Sequence, residues 1–212
     1  MSDAQQARTP SVIDIGGIKQ LKERNDKRQR YYRENAAYFE GRNPWLESRE
    51  PRREPDNRIV VPLAKAAVED MAGYAGMAGY RTVEIVNTTV EEDDSDTRDA
   101  YIDRVREIET DNDAERLTSE LYLEALVQGK AYEVFWFDSE RGIQFAKVPG
   151  NEMEIIYDGT LKNRVIGAVR YHSYDDYELA TVYEAGQTIT YKLKGDAWVQ
   201  VEAKPNPFDR VP

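Results

Sequence analysis

The sequence of 212 residues contains no cysteine. That absence excludes a disulfide framework, a thiolate nucleophile and any cysteine-based zinc or iron–sulfur site. There is a single histidine, His172, too few for a two-histidine metal site, and no G-x-S-x-G turn offers it a nucleophile. It reads as an ordinary surface histidine at a strand end. No stretch approaches the ~18 uninterrupted apolar residues of a membrane span, and residues 1–17 lack an apolar run of signal-peptide length. No membrane partner and no export are expected. Basic charge is also scarce: 29 Lys and Arg face 40 Asp and Glu, a formal net charge of -11. A general electrostatic grip on nucleic acid phosphates is therefore not expected.

What is present is bulk in a polar setting. Fourteen Tyr, 5 Phe and 3 Trp accompany a 40% apolar content, enough aromatic mass to build a core. The acidity is concentrated: residues 84–124 hold 15 acidic and 4 basic side chains, whereas residues 18–58 hold 12 basic and 8 acidic. One segment thus accounts for the whole net charge.

Periodicity divides the chain into three parts, a flexible arm over 1–17, a helical region over 18–129 and an antiparallel β region over 130–212. The arm is small and polar, broken by Pro10 and the Gly16-Gly17 pair. Ile18, Leu21, Asn25, Gln29, Tyr32, Ala36 and Phe39 recur at helical spacing and Gly41 stops the run. Residues 42–57, with Pro44, Pro51 and Pro55, form a stiff basic connector. The most apolar stretch, 59–80, carries only Lys65, Glu69 and Asp70 as charges before Arg81, which predicts a buried central helix. A short strand over 82–87 and an acidic loop over 88–99 follow. Helices are expected over 100–111 and over 114–128, the second capped by Asp113 and ended by Gly129.

After Gly129 the period becomes two. Strands are expected at 130–137, 143–148, 153–157, 165–171, 177–183, 188–194 and 198–203, separated by turn-forming residues short enough to make neighbours antiparallel. Residues 131–137 are apolar on both faces and read as a central strand. Ile189, Tyr191 and Leu193 alternate inward. The fold class is therefore α+β, N-terminal helices followed by an antiparallel β meander.

Catalytic and cofactor motifs fail on spacing. The acidic loop lacks the glycine and terminal glutamate of a calcium loop, and no phosphate-binding glycine loop is present. Asp196, Glu202 and Lys204 alone suggest chemistry, a D…E-x-K arrangement that in metal-dependent nucleases places two carboxylates on a divalent ion. A nuclease is the alternative that this pattern keeps open; a generic α+β adaptor is another. No cofactor is expected.

A family resemblance points elsewhere. Tyr38-Phe39-Glu40-Gly41, then Asn57-Arg58-Ile59-Val60 leading into Ala64-Lys65-Ala66-Ala67-Val68-Glu69 and Gly73-Tyr74-Ala75-Gly76, resembles the opening of portal proteins from tailed bacteriophages of the siphophage type. Asn112-Asp113, Glu120 to Leu126, Gly129-Lys130-Ala131-Tyr132-Glu133, Ile155-Ile156-Tyr157-Asp158 and the closing Asn206-Pro207-Phe208-Asp209-Arg210-Val211-Pro212 follow in the order seen in that family. The resemblance implies a structural, non-enzymatic subunit of a ring, usually of twelve, at one capsid vertex. It implies a virion protein, assembled in the host cytoplasm, whose partners are other portal subunits, terminase, capsid or scaffold and head-completion proteins. Double-stranded DNA would pass through the channel without specific binding. Family members continue into stem, clip and crown, so this chain is similar to the N-terminal wing-region portion. Arg49, Arg52, Arg53 and Arg58 are candidate inter-subunit contacts for Asp93, Asp94 and Asp96 of a neighbouring copy.

Overall fold

A computed structural model of the chain describes residues 13–43, 61–78, 95–208 and 211–212. In chain order these form helices α1 (Ile15–Phe39), α2 (Leu63–Ala78), α3 (Ser95–Asp111) and α4 (Ala114–Gln128), then strands β1 (Tyr132–Asp138), β2 (Gly142–Val148), β3 (Met153–Tyr157), β4 (Val165–Tyr174), β5 (Tyr177–Tyr183), β6 (Gln187–Lys194) and β7 (Ala197–Pro205). The class is α+β, helices first and antiparallel strands after, as the change of period predicts. Two compact units result. One comprises residues 1–29 and 151–212, the other residues 30–150.

The first unit is a five-stranded antiparallel sheet, β3-β4-β5-β6-β7, with the first half of α1 on one face. Its core follows from register. Val169, Val182 and Ile189 lie in one cross-strand row and Tyr171, Ala180 and Tyr191 in the next, with Ile18 and Leu21 of α1 packed over them and Trp198 closing the side. Fully burying side chains of this size contributes about 1.5–3 kcal/mol each. The expected inward alternation of Ile189, Tyr191 and Leu193 is what the sheet uses. The start of α1 differs from expectation. Gly16 and Gly17 do not break the chain but lie in the first helical turn, because Asp14 accepts the Gly17 N–H on its Oδ1 at 2.7 Å and the Ile18 N–H on its backbone oxygen at 3.0 Å.

The second unit holds the remainder of α1, helices α2 to α4 and a two-stranded hairpin, β1 with β2. One core cluster in it is Ala114, Leu117 and Phe145, with Ile108, Leu121 and Phe135 against them; Tyr32, Ala37, Val134 and Val148 are buried as well. Phe135 and Phe145 face each other across the hairpin, ring centroids 5.3 Å apart. The meander is thus not continuous. β1 is not central: its Trp136 and Phe137 are exposed. The break falls at Pro149-Gly150, where a Cβ on Gly150 would lie 2.5 Å from the Lys130 carbonyl oxygen.

Both glycine stops form as expected. Gly41 and Gly129 adopt φ of 77° and 79°, and the Gly129 N–H returns to the Ala125 carbonyl at 2.8 Å. Helix α3 begins at Ser95, so the end of the expected acidic loop is helical instead. The expected strand over 82–87 and the basic connector over 44–57 lie outside the described residues.

Candidate assembly surfaces

Helix α1 is held to its sheet by polar contacts that hydrophobic periodicity does not reveal. Glu154 is 2% exposed and accepts from two arginines. Arg24 donates from Nε at 3.0 Å and Nη2 at 2.7 Å to Oε2; Arg28 donates from Nη1 at 3.1 Å to Oε1. A buried carboxylate needs such partners, since desolvation of an unpaired charge costs several kcal/mol. Alternation in the segment Met153-Glu154-Ile155-Ile156 suggests a solvent-facing glutamate, but register puts Glu154 opposite Val169, on the face that α1 covers.

Three further ties act in the same unit. Asn25 and Gln29 each donate to the Asn151 carbonyl, at 2.9 and 2.8 Å. The Tyr171 hydroxyl donates to the Ile18 carbonyl at 2.6 Å. Burial, reinforced by the nearby Glu154 charge, pushes that phenol above its ordinary pKa, so it stays a donor. Glu184 accepts the Ile13 N–H at 3.1 Å and fixes where the chain enters α1.

The opposite face of the sheet is mixed: Met153 and Ala168 are buried on it beside polar groups. Arg170 pairs with Glu152 at 2.8 Å, and His172, Tyr174 and Tyr177 form a run of ring contacts, with the Lys192 ammonium 3.9 Å from the Tyr177 centroid. His172 is half-buried in this run rather than a plain surface residue. Burial first, then Arg170, lowers its pKa and keeps the ring neutral at physiological pH.

The D…E-x-K residues do not converge. Glu202 and Lys204 form an exposed ion pair with each other at 2.9 Å. Asp196 sits in the turn before β7, and six residues of extended strand, roughly 20 Å, separate it from Glu202. Strand geometry therefore keeps the two carboxylates apart, and among the described residues no group of three His, Asp or Glu side chains could hold a metal ion. Of the candidate charge contacts, Arg49, Arg52, Arg53, Arg58, Asp93 and Asp94 lie outside the described residues, and Asp96 falls in α3. Elsewhere in the acidic segment three arginines pair locally: Arg104 with Glu107, Arg106 with Asp103, and Arg116 with both Asp113 and Glu120.

In the second unit, Asn112 joins helix to hairpin. Its Nδ2 donates to the Ile108 and Ile143 carbonyls at 2.8 and 3.0 Å, and its Oδ1 accepts the Phe145 N–H at 3.1 Å. Helix α2 packs against α4, yet the expected burial of α2 does not occur. At about 100° per residue, Val68, Ala72 and Ala75 share one half-buried face. Leu63, Ala67, Met71 and Tyr74 form a second stripe that is exposed, at 72%, 53% and 75% for Leu63, Met71 and Tyr74. Lys65, Glu69 and Asp70 occupy the remaining sector. The apolar sector is wider than the single helix it rests on can cover.

No catalytic set converges among the described residues, whose exposed surfaces include apolar and charged faces. A sequence model of the family described as "Phage portal protein, SPP1 Gp6-like" matches residues 18–212, and the chain belongs to that family. It is a virion-class protein in a family of structural subunits. No curated protein matches it.

Proposed function

We propose that this chain forms the wing-region portion of a portal ring at one capsid vertex, through which DNA is packaged and later ejected. The observation that carries the reading is the family match across residues 18–212, nearly the whole chain. In this role the chain packs against other portal subunits in a ring of about twelve and presents docking surfaces to terminase, capsid or scaffold and head-completion proteins. The distribution of charge supports it. Each phosphate contact by Lys or Arg adds counterion-release affinity, and a conduit that lets DNA slide is served by a protein of net charge -11.

The basic strip Arg49, Arg52, Arg53 and Arg58 of one subunit meets Asp93, Asp94 and Asp96 of the next in this scheme. Contacts between unlike surfaces close into rings. Negative-stain imaging of a full-length portal subunit carrying this chain, with and without Arg52→Glu and Arg53→Glu combined, tests both levels. Rings are expected from the parent and fewer from the double variant, with the difference shrinking at high salt. A full-length parent that forms no ring at any concentration overturns the portal reading; unchanged ring yield in the variant at low and high salt overturns the charge contact alone.

A further inference from the structure

We propose that the outer stripe of α2, Leu63, Ala67, Met71 and Tyr74, is covered in the assembled protein by a second copy of this chain. The inference rests on the portal reading and names a surface through which it acts.

Size is the first argument. With Val61, 63% exposed just ahead of the helix, the stripe leaves on the order of 500 Å² of side-chain surface in water. That is at the upper end of what monomeric proteins expose and over half of the ~800 Å² that each partner gives to a standard interface. The second argument is composition. Tyr and Met, with no charge among them, are what the centre of an interface favours, and the three charges of α2 are gathered in a different sector.

The occupant follows from what flanks the stripe. A membrane or nucleic acid partner would call for a cationic border, but among the described residues the charge beside the stripe is Asp70, and α2 as a whole has two acids against one base. On the same unit, Trp136 and Phe137 of β1 are 43% and 58% exposed, on opposite faces of the hairpin. Either offers an apolar surface unlike the stripe, which a head-to-tail contact between copies requires.

Because the chain has no cysteine, a single introduced thiol reports on one position. Met71→Cys places it on the stripe, and Leu161→Cys places it on a fully exposed loop as a control. Monomeric and oligomeric fractions would be separated by size and their alkylation rates compared. The stripe thiol is expected to react at least about tenfold more slowly in the oligomer, and the control thiol at one rate in both. Tyr74→Glu, at a side chain 75% exposed, is expected to shift the population to monomer with an unchanged melting temperature. An oligomer whose stripe thiol reacts as fast as in the monomer, or one that survives Tyr74→Glu intact, overturns this inference and leaves the portal reading standing. A parent chain that stays monomeric at every concentration likewise overturns this inference alone.

Discussion

Arg24 and Glu154 are 130 residues apart in the chain and their Nη2 and Oε2 atoms are 2.7 Å apart in the fold. With Arg28 on the same carboxylate, this pair fixes which turn of α1 lies over β3. The two sides of the contact are unequal: both arginines are 47% exposed, whereas the glutamate is 2% exposed.

That inequality sets the order of mutational effects. Glu154→Gln frees two guanidinium groups that reach water by rotating outward, and is expected to cost about 1–2 kcal/mol. Replacing Arg24 and Arg28 together by Ala strands a buried carboxylate and is expected to cost about 3–5 kcal/mol. Urea unfolding of the three proteins measures both. A double arginine variant no less stable than Glu154→Gln would show that the carboxylate does not depend on these partners.

Acid should loosen two turns in a defined direction. The Asp158 carboxylate accepts the Thr160 and Arg164 N–H groups at 3.0 and 3.1 Å, and Asp138 accepts those of Glu140 and Arg141, both at 2.9 Å. These backbone donors hold both pKa values below the ordinary aspartate range. A depressed folded pKa contributes stability that is fully present above the unfolded value and is lost as pH falls through the folded one. The stability gap between the parent and Asp158→Ala is therefore expected to be constant near neutrality and to close below about pH 4. A gap that stays the same down to pH 2, roughly two units under the free value, would mean the charge contributes nothing.

Two glycines make unequal predictions. A methyl at Gly150 would sit 2.5 Å from the Lys130 carbonyl oxygen, a backbone atom that cannot yield. Gly150→Ala is expected to cost about 2 kcal/mol or more. At Gly167 the obstacle, 2.9 Å away, is the Ile13 Cδ1, the end of a side chain that can rotate. Gly167→Ala is expected to cost less, about 1 kcal/mol. Thermal melts of the two variants decide the order.

Much of this architecture was legible in the sequence, for identifiable reasons. Helix stops at Gly41 and Gly129 follow from a conformation that glycine alone adopts cheaply, and the inward set Ile189, Tyr191 and Leu193 from the two-residue period of a half-buried strand. The family order from Tyr38 onward was readable too, and the family match agrees with it. What periodicity concealed depends on tertiary register. Glu154 is one acid among 40 acidic residues until pairing with Val169 turns it toward α1. Asp14 as a helix cap was masked by the glycine pair that follows it. The apolar character of α2 was plain, but composition alone equates an apolar helix with a buried one. In this chain much of that surface is uncovered, so burial depends on more than the folded unit supplies. Asp196, Glu202 and Lys204 illustrate the reverse error, since closeness in sequence along an extended strand is distance in space.

The first unit is assembled from the two ends of the chain, residues 1–29 and 151–212, with the whole of the second unit between them. The consequence is temporal. During synthesis the face of α1 that carries Ile18 and Leu21 emerges well before Trp198, which completes the sheet core beneath it. The second unit, with one core cluster between Ile108 and Phe145, ends at residue 150 and is complete in sequence before β3 exists. Helix α1 must therefore wait for its sheet, and the Arg24–Glu154 contact is a late step in folding.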